Sequence, residues 1–242
     1  MYSACLHKQG ILLLVLQTMV PHDDEEGGKN QHEEDFLRRQ IQSQGKGYSL
    51  FFDKIVKTDS GKRLIENIDK VHNADFSVIV YNFLDILSHA RTETQIIRDL
   101  AEDEAAFRSL TRSWFEHSDL LELMRLLAER GHTIIITSDH GTIQVDNPVR
   151  VQGDRATSSN LRYKTGRNLG FNQKEVFAIT KPELAHLPKS NITSTYIFAY
   201  NRDFFVYPNN TNQFVRYYNN TFQHGGISME EMIVPFLVLK PR

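Results

Sequence analysis

Three short stretches of the chain carry side chains of the kind that hold metal ions: Asp85-Ile-Leu-Ser-His89, Ser138-Asp139-His140-Gly141 and His224-Gly225-Gly226. Carboxylate oxygen and imidazole nitrogen are the donors that zinc takes at catalytic sites, where three protein ligands leave one position open. Asp85 and His89 are four residues apart, so a helical turn projects both from one side. Asp139 and His140 are adjacent, and neighbouring ligands that diverge can serve the two ions of a bimetal pair. Gly141, Gly225 and Gly226 allow sharp turns and close approach of backbone to a ligand. A D-x-x-x-H pair recurs by chance, and a lone His is more often a hydrogen-bonding residue. The order of the three stretches gives them weight, because together they amount to most of a two-metal site.

The surrounding elements place these residues where an α/β sheet places its chemistry. Phe76–Tyr81 and Thr133–Thr137 are continuous apolar runs of strand length, the pattern of strands buried on both faces. Asp85 and His89 follow the first, and Asp139 and His140 follow the second, at the strand ends where ligands gather. A helical pattern runs from Ser60 to Val71. A long charged helical segment spans Thr94 to Arg130, with Ser118 as an N-cap before Leu120 and Gly131 as its stop. Shorter strands are expected at Val176–Ile179, Tyr196–Ala199 and Phe204–Tyr207. Ser228 caps a turn over Met229–Met232 before a last strand-like run, Ile233 to Leu239. The grammar is that of a doubly wound, mostly parallel sheet with flanking helices.

At 242 residues the length suits one domain. A net charge of -2 gives no global attraction to nucleic acid or anionic lipid. Phosphate binding must therefore be local, and the segment Val149 to Gly170 supplies it: Arg155, Arg162, Lys164 and Arg167 are candidate contacts for substrate phosphate oxygens. The other reading of that segment is a solvated basic loop. The single Cys5 excludes a disulfide framework and a thiolate metal site. The apolar run Gly10 to Leu16 is too short to span a bilayer, and no cleavage-site pattern follows it. Three sequons begin at Asn191, Asn209 and Asn219, and read as chance matches. A cytoplasmic location and no membrane partner are expected. The acidic run Asp23 to Glu26 reads as a solvated loop, and His7, His22, His32, His72, His117, His132 and His186 read as surface residues.

The order Asp-x-x-x-His, then Asp-His-Gly after a strand, then a late His-Gly-Gly resembles the alkaline phosphatase superfamily. The stretches Asp23-Asp-Glu-Glu-Gly-Gly-Lys-Asn30, Tyr207-Pro-Asn-Asn210 and Asn220-Thr-Phe-Gln-His-Gly-Gly-Ile-Ser-Met-Glu-Glu-Met-Ile-Val-Pro235 resemble its PglZ branch, in particular the effector domain of PorX-type response regulators that control type IX secretion. The resemblance covers residues 21 to 242. It implies an alkaline phosphatase-like fold and two zinc ions, with Asp85, His89 and His224 on one and Asp139 with His140 on the other. It also implies a phosphodiesterase or phosphatase acting on nucleotide or oligonucleotide phosphodiesters. A sigma factor or sensor kinase would be a partner, and a homodimer is compatible with the pattern.

Residues 1 to 20 depart from that pattern. They contain no acidic residue, whereas the superfamily needs an Asp at the end of its first strand and then a Thr or Ser nucleophile. Ser3 and Thr18 are the hydroxyls there apart from Tyr2, and neither has a nucleophile context. The expectation is an atypical or mis-specified start, with the first strand missing or altered, activity impaired and one zinc site weak or empty. The alternative function is a non-catalytic signalling module that acts by protein contacts.

Overall fold

A computed structural model describes residues 11–15, 33–45, 47–55, 58–84, 86–87, 90, 94–153, 157–189 and 193–241. Two compact units share the chain: one of residues 1–87, 96–139 and 235–242, the other of residues 88–95 and 140–234. Asp85 and His89 lie outside the described residues, as do the Asp23 to Glu26 run and Arg155.

The first unit is built on a five-stranded sheet. Its strands are β1 (Ile11–Val15), β2 (Leu50–Ile55), β3 (Phe76–Tyr81), β4 (Thr133–Thr137) and β12 (Phe236–Leu239), in the order β12-β4-β1-β3-β2. All neighbours are parallel except β12, which runs antiparallel to β4 at the edge. The sequence leads to an expectation that the first strand is missing or altered, and that the apolar run Gly10 to Leu16 is a buried strand or a mis-specified start. The backbone of Ile11–Val15 fills the centre of the sheet, in register with Phe76–Val80 on one side and Thr133–Thr137 on the other. A run of Ile, Leu and Val with no charge meets the requirement of a central strand, whatever follows it.

Helices α1 (Glu33–Ser43), α2 (Thr58–Glu66), α3 (Ile68–His72), α4 (Gln95–Leu100), α5 (Glu104–Glu116) and α6 (Asp119–Glu129) belong to this unit or border it. The single long helical segment expected from Thr94 to Arg130 is three helices. Asp103 starts α5 by accepting from the Ala106 N–H, and Ser118 starts α6 by accepting from the Leu121 N–H. Leu120, Leu123, Met124 and Leu127 recur at helical spacing and are buried against Leu64, Ile68 and Val71 and against the sheet residues Ile79, Tyr81 and Ile134. Gly131 ends α6 at φ +83°, a left-handed turn that favours glycine. His132 is not a surface residue: it is buried, and its Nε2 lies 2.8 Å from His72 Nδ1. It stands between the helix stop and β4, so its ring enters the packed layer. Among the described residues no helix is long and apolar enough to cross a membrane.

The second unit is made of short strands: β5 (Ile143–Val145), β6 (Asn147–Arg150), β7 (Tyr163–Gly166), β8 (Val176–Ile179), β9 (Thr195–Ala199), β10 (Asp203–Val206) and β11 (Thr221–Gln223). They form a parallel pair β10-β6, an antiparallel pair β11-β5 and an antiparallel sheet β7-β9-β8. Helix α7 (Thr211–Tyr218) packs Phe214, Val215 and Tyr218 on the cluster of Ile143, Val145, Leu161, Phe204 and Val206. A second cluster gathers Val149, Val151, Val176, Ile197, Ala199 and Phe205.

Candidate metal-binding site

Two of the predicted ligands meet in the second unit. The His140 and His224 rings are stacked, with centroids 4.0 Å apart and planes inclined by 14°. His140 follows β4 by three residues, and its Nδ1 lies 2.9 Å from the Gly141 carbonyl oxygen. A carbonyl only accepts, so Nδ1 carries the proton of that bond, and in the neutral ring Nε2 keeps its lone pair. A bond of this type fixes the tautomer and plane of a metal-binding imidazole. Asp139 is exposed, at the end of the first unit's β4 segment.

Both imidazoles are positioned through one residue that the ligand motifs alone do not single out. Glu231 lies in α8 (Met229–Met232), and its side chain is 1% exposed. Its backbone carbonyl accepts from the Gly141 N–H at 2.9 Å, beside His140. One carboxylate oxygen accepts from the Gly226 N–H at 2.8 Å, two residues beyond His224. The other accepts from the Ser228 N–H at 3.2 Å, the reach-back contact of a capping box. The glycines are there because this segment leaves no room. A Cβ on Gly141 would overlap the Glu230 carbonyl oxygen, and one on Gly226 would lie 2.6 Å from Glu231 Oε2. Gly225 adopts φ +98°, and a side chain there would press on Asn160 and Tyr163.

Glu231 is held in turn by Arg162. The guanidinium donates from Nε to Oε1 at 2.8 Å and from Nη2 to Oε2 at 2.7 Å, a two-point pair with both side chains buried. Its Nη1 donates to the carbonyls of Tyr200 and Asp203. Burial alone pushes the Glu231 carboxyl up. The Arg162 bond and charge, with the Gly226 N–H, outweigh that and hold it below the usual carboxylate range.

Composition makes 149 to 170 a basic loop, and the structure corrects this. Arg162 and Lys164 alternate with Tyr163 at strand spacing, so both turn inward, and both are buried. Lys164 Nζ donates to the Ser158 carbonyl at 3.0 Å and lies 4.9 Å from the Tyr207 ring centroid. Burial pushes its ammonium down to about 8. Arg162 and Lys164 therefore serve the fold of this unit. Of the phosphate-contact candidates, Arg167 is exposed.

A family profile described as the BREX system PglZ alkaline phosphatase-like domain matches residues 16–239. The chain belongs to the PglZ family. Phosphonoacetate hydrolase from Sinorhizobium meliloti 1021, solved with phosphonoformate, is similar at 15% identity and a TM-score of 0.42, over 74% of this chain and 48% of that one. The chain thus spans about half the length of that hydrolase. No curated protein shows a significant match.

PglZ membership makes this an alkaline phosphatase-like domain, of a superfamily that depends on metal ions. Among the described residues no group of three or more His, Cys, Asp or Glu side chains is gathered as a metal site. What the PglZ chain does bring together is a pair of nitrogen donors, one with its tautomer set by a backbone carbonyl. Such donors suit zinc.

Proposed function

We propose that the chain is a metal-dependent phosphodiesterase or phosphatase domain acting on nucleotide or oligonucleotide phosphodiesters. The observation that carries this reading is the His140–His224 stack. A metal ion sits near the plane of each imidazole that binds it. Two rings side by side in one plane cannot have centroids 4.0 Å apart, so their planes are separate and an ion in one is out of reach of the other ring. Stacked in this way, the two rings would suit separate ions rather than one, and His140 and His224 would then each hold an ion of a pair that neutralises a phosphoryl group.

The family pattern then gives Asp85, His89 and His224 to one zinc and Asp139 with His140 to the other. A bound pair of divalent cations supplies charge neutralisation of a phosphoryl group. The residues of the chain supply the geometry: Gly141 and Gly226 are pinned by Glu231, and Arg162 keeps that carboxylate ionised in the interior. The resemblance of Asn220 to Pro235 to PorX-type effector domains supports a place in a two-component response regulator, with a sigma factor or sensor kinase as partner. A second reading, a signalling module without turnover, is favoured by one sequence observation: residues 1 to 20 offer no carboxylate and no nucleophile context.

Turnover of bis-p-nitrophenyl phosphate by the zinc-loaded chain separates the two. The hydrolase reading expects release of nitrophenol that EDTA abolishes and zinc restores, and that is lost in His140→Ala and in His224→Ala. Zinc binding with no turnover would favour the signalling module. Turnover indifferent to both histidines would remove the site assignment.

A further inference from the structure

The β7-β9-β8 sheet of the second unit has one face in the core and one carrying a row of aromatic rings. Ile197, Ala199 and Val176 on the inner face are buried. On the outer face Tyr163 and Phe177 are the cross-strand partners of Phe198, with ring centroids 6.3 Å and 6.5 Å away. Tyr196 lies two residues before Phe198 on the same face, its ring inclined by 14° at 6.3 Å. Phe177 is 44% exposed. Phe177 is exposed and Tyr163, Phe198 and Tyr196 are half-buried, so three rings across the strands and a fourth beside them leave aromatic surface open on the outer face of a small sheet.

Two observations indicate what covers the row. It begins at the candidate site, for a Cβ on Gly225 would lie 3.1 Å from the Tyr163 ring, and Gly225 follows His224 directly. Its charge suits a polyanion. The three strands contain no carboxylate, and exposed Arg167 and Lys181 follow β7 and β8, which run parallel to each other and end on the same side of the sheet. Of the nearby acids, Glu183 is ion-paired with Lys189 at 3.2 Å, and Glu175 stands at the opposite end, before β8. Successive aromatic rings beside basic groups are how proteins hold unpaired bases without reading sequence, since every base has a face to stack.

We propose that Tyr163, Phe198, Phe177 and Tyr196 form a stacking platform for the bases of a single-stranded nucleic acid whose phosphodiester is presented at His140 and His224. The placing of that phosphodiester rests on the hydrolase reading; the platform itself does not.

The test compares binding of two short phosphorothioate-linked strands to the full chain: an oligodeoxyadenylate and an abasic deoxyribose strand of equal length. With stacking worth about 1–3 kcal/mol per base, the base-bearing strand binds at least roughly fivefold tighter. Phe177→Ala reduces that preference, and Phe177→Tyr keeps it. Equal binding of the two strands, binding of neither, or a preference unchanged in Phe177→Ala overturns the platform. A preference lost equally in Phe177→Tyr overturns it too, because the ring is retained. Base-dependent binding without any bis-p-nitrophenyl phosphate turnover leaves the platform standing and removes the hydrolase reading. Turnover without base dependence does the reverse.

Discussion

Arg162 and Glu231 meet as a buried two-point ion pair, at 2.8 and 2.7 Å, and Glu231 is bonded to the loops that follow both His140 and His224. An ion pair taken out of water contributes little net stability, because desolvation of both charges offsets their attraction, but a single partner left behind is costly. Arg162→Met and Glu231→Gln should each lower the unfolding free energy by about 3–5 kcal/mol. The double variant Arg162→Met/Glu231→Gln should lose less than their sum. Urea denaturation of the four proteins measures this, and strictly additive losses would show that the pair is not coupled.

The second prediction concerns glycine as a spacer. Gly141→Ala forces its Cβ into the Glu230 carbonyl, a backbone atom that can yield only if the segment moves. A destabilisation of about 1–3 kcal/mol is expected, together with weaker zinc binding as His140 shifts. Gly47→Ala, which meets nothing within 4 Å, is the control and should be neutral or slightly stabilising. Thermal melting and zinc titration read both effects, and equal behaviour of the two variants would contradict the close packing at Gly141.

Lys164 gives a pH dependence with a definite sign. Its ordinary value of 10.5 falls to about 8 in the folded chain because burial penalises the ammonium. Between those two values the unfolded chain binds a proton that the folded chain has released, so stability rises with pH across that window. Relative to Lys164→Met, the wild type should therefore gain stability from about pH 8 to about pH 10.5. Denaturation midpoints at several pH values test this, and a difference between the two proteins that does not vary with pH would contradict it.

Much of this was legible in the residues. Phe76–Tyr81 and Thr133–Thr137 carry no charge and have apolar residues at consecutive positions, the pattern of strands covered on both faces, and they emerge as neighbours of the central strand. Ser118 marks a helix start because its hydroxyl accepts from the Leu121 N–H, and Ser228 because its own N–H donates to the Glu231 carboxylate three places on. The inward turn of Arg162 and Lys164 was not legible. Their charge suggests solvent, and the partner that makes Arg162's burial tolerable, Glu231, is 69 residues away in sequence. His132 failed for a related reason, since its partner His72 is 60 residues distant. Glu231 did leave a trace, as the acid three places after Ser228 in a capping box, although the box gives no hint that its carboxylate also holds an arginine. The short strands β5, β6 and β11 mix polar and apolar residues over three or four positions, too few for a period to show.

The most direct test of the two-ion reading is zinc content after equilibrium dialysis of the wild type, His140→Ala, His224→Ala and the double variant. Because the stacked rings cannot share one ion, each single variant should lose one zinc class and keep the other, and the double variant should lose both. Loss of all zinc in either single variant, or full zinc content in the double variant, would contradict it.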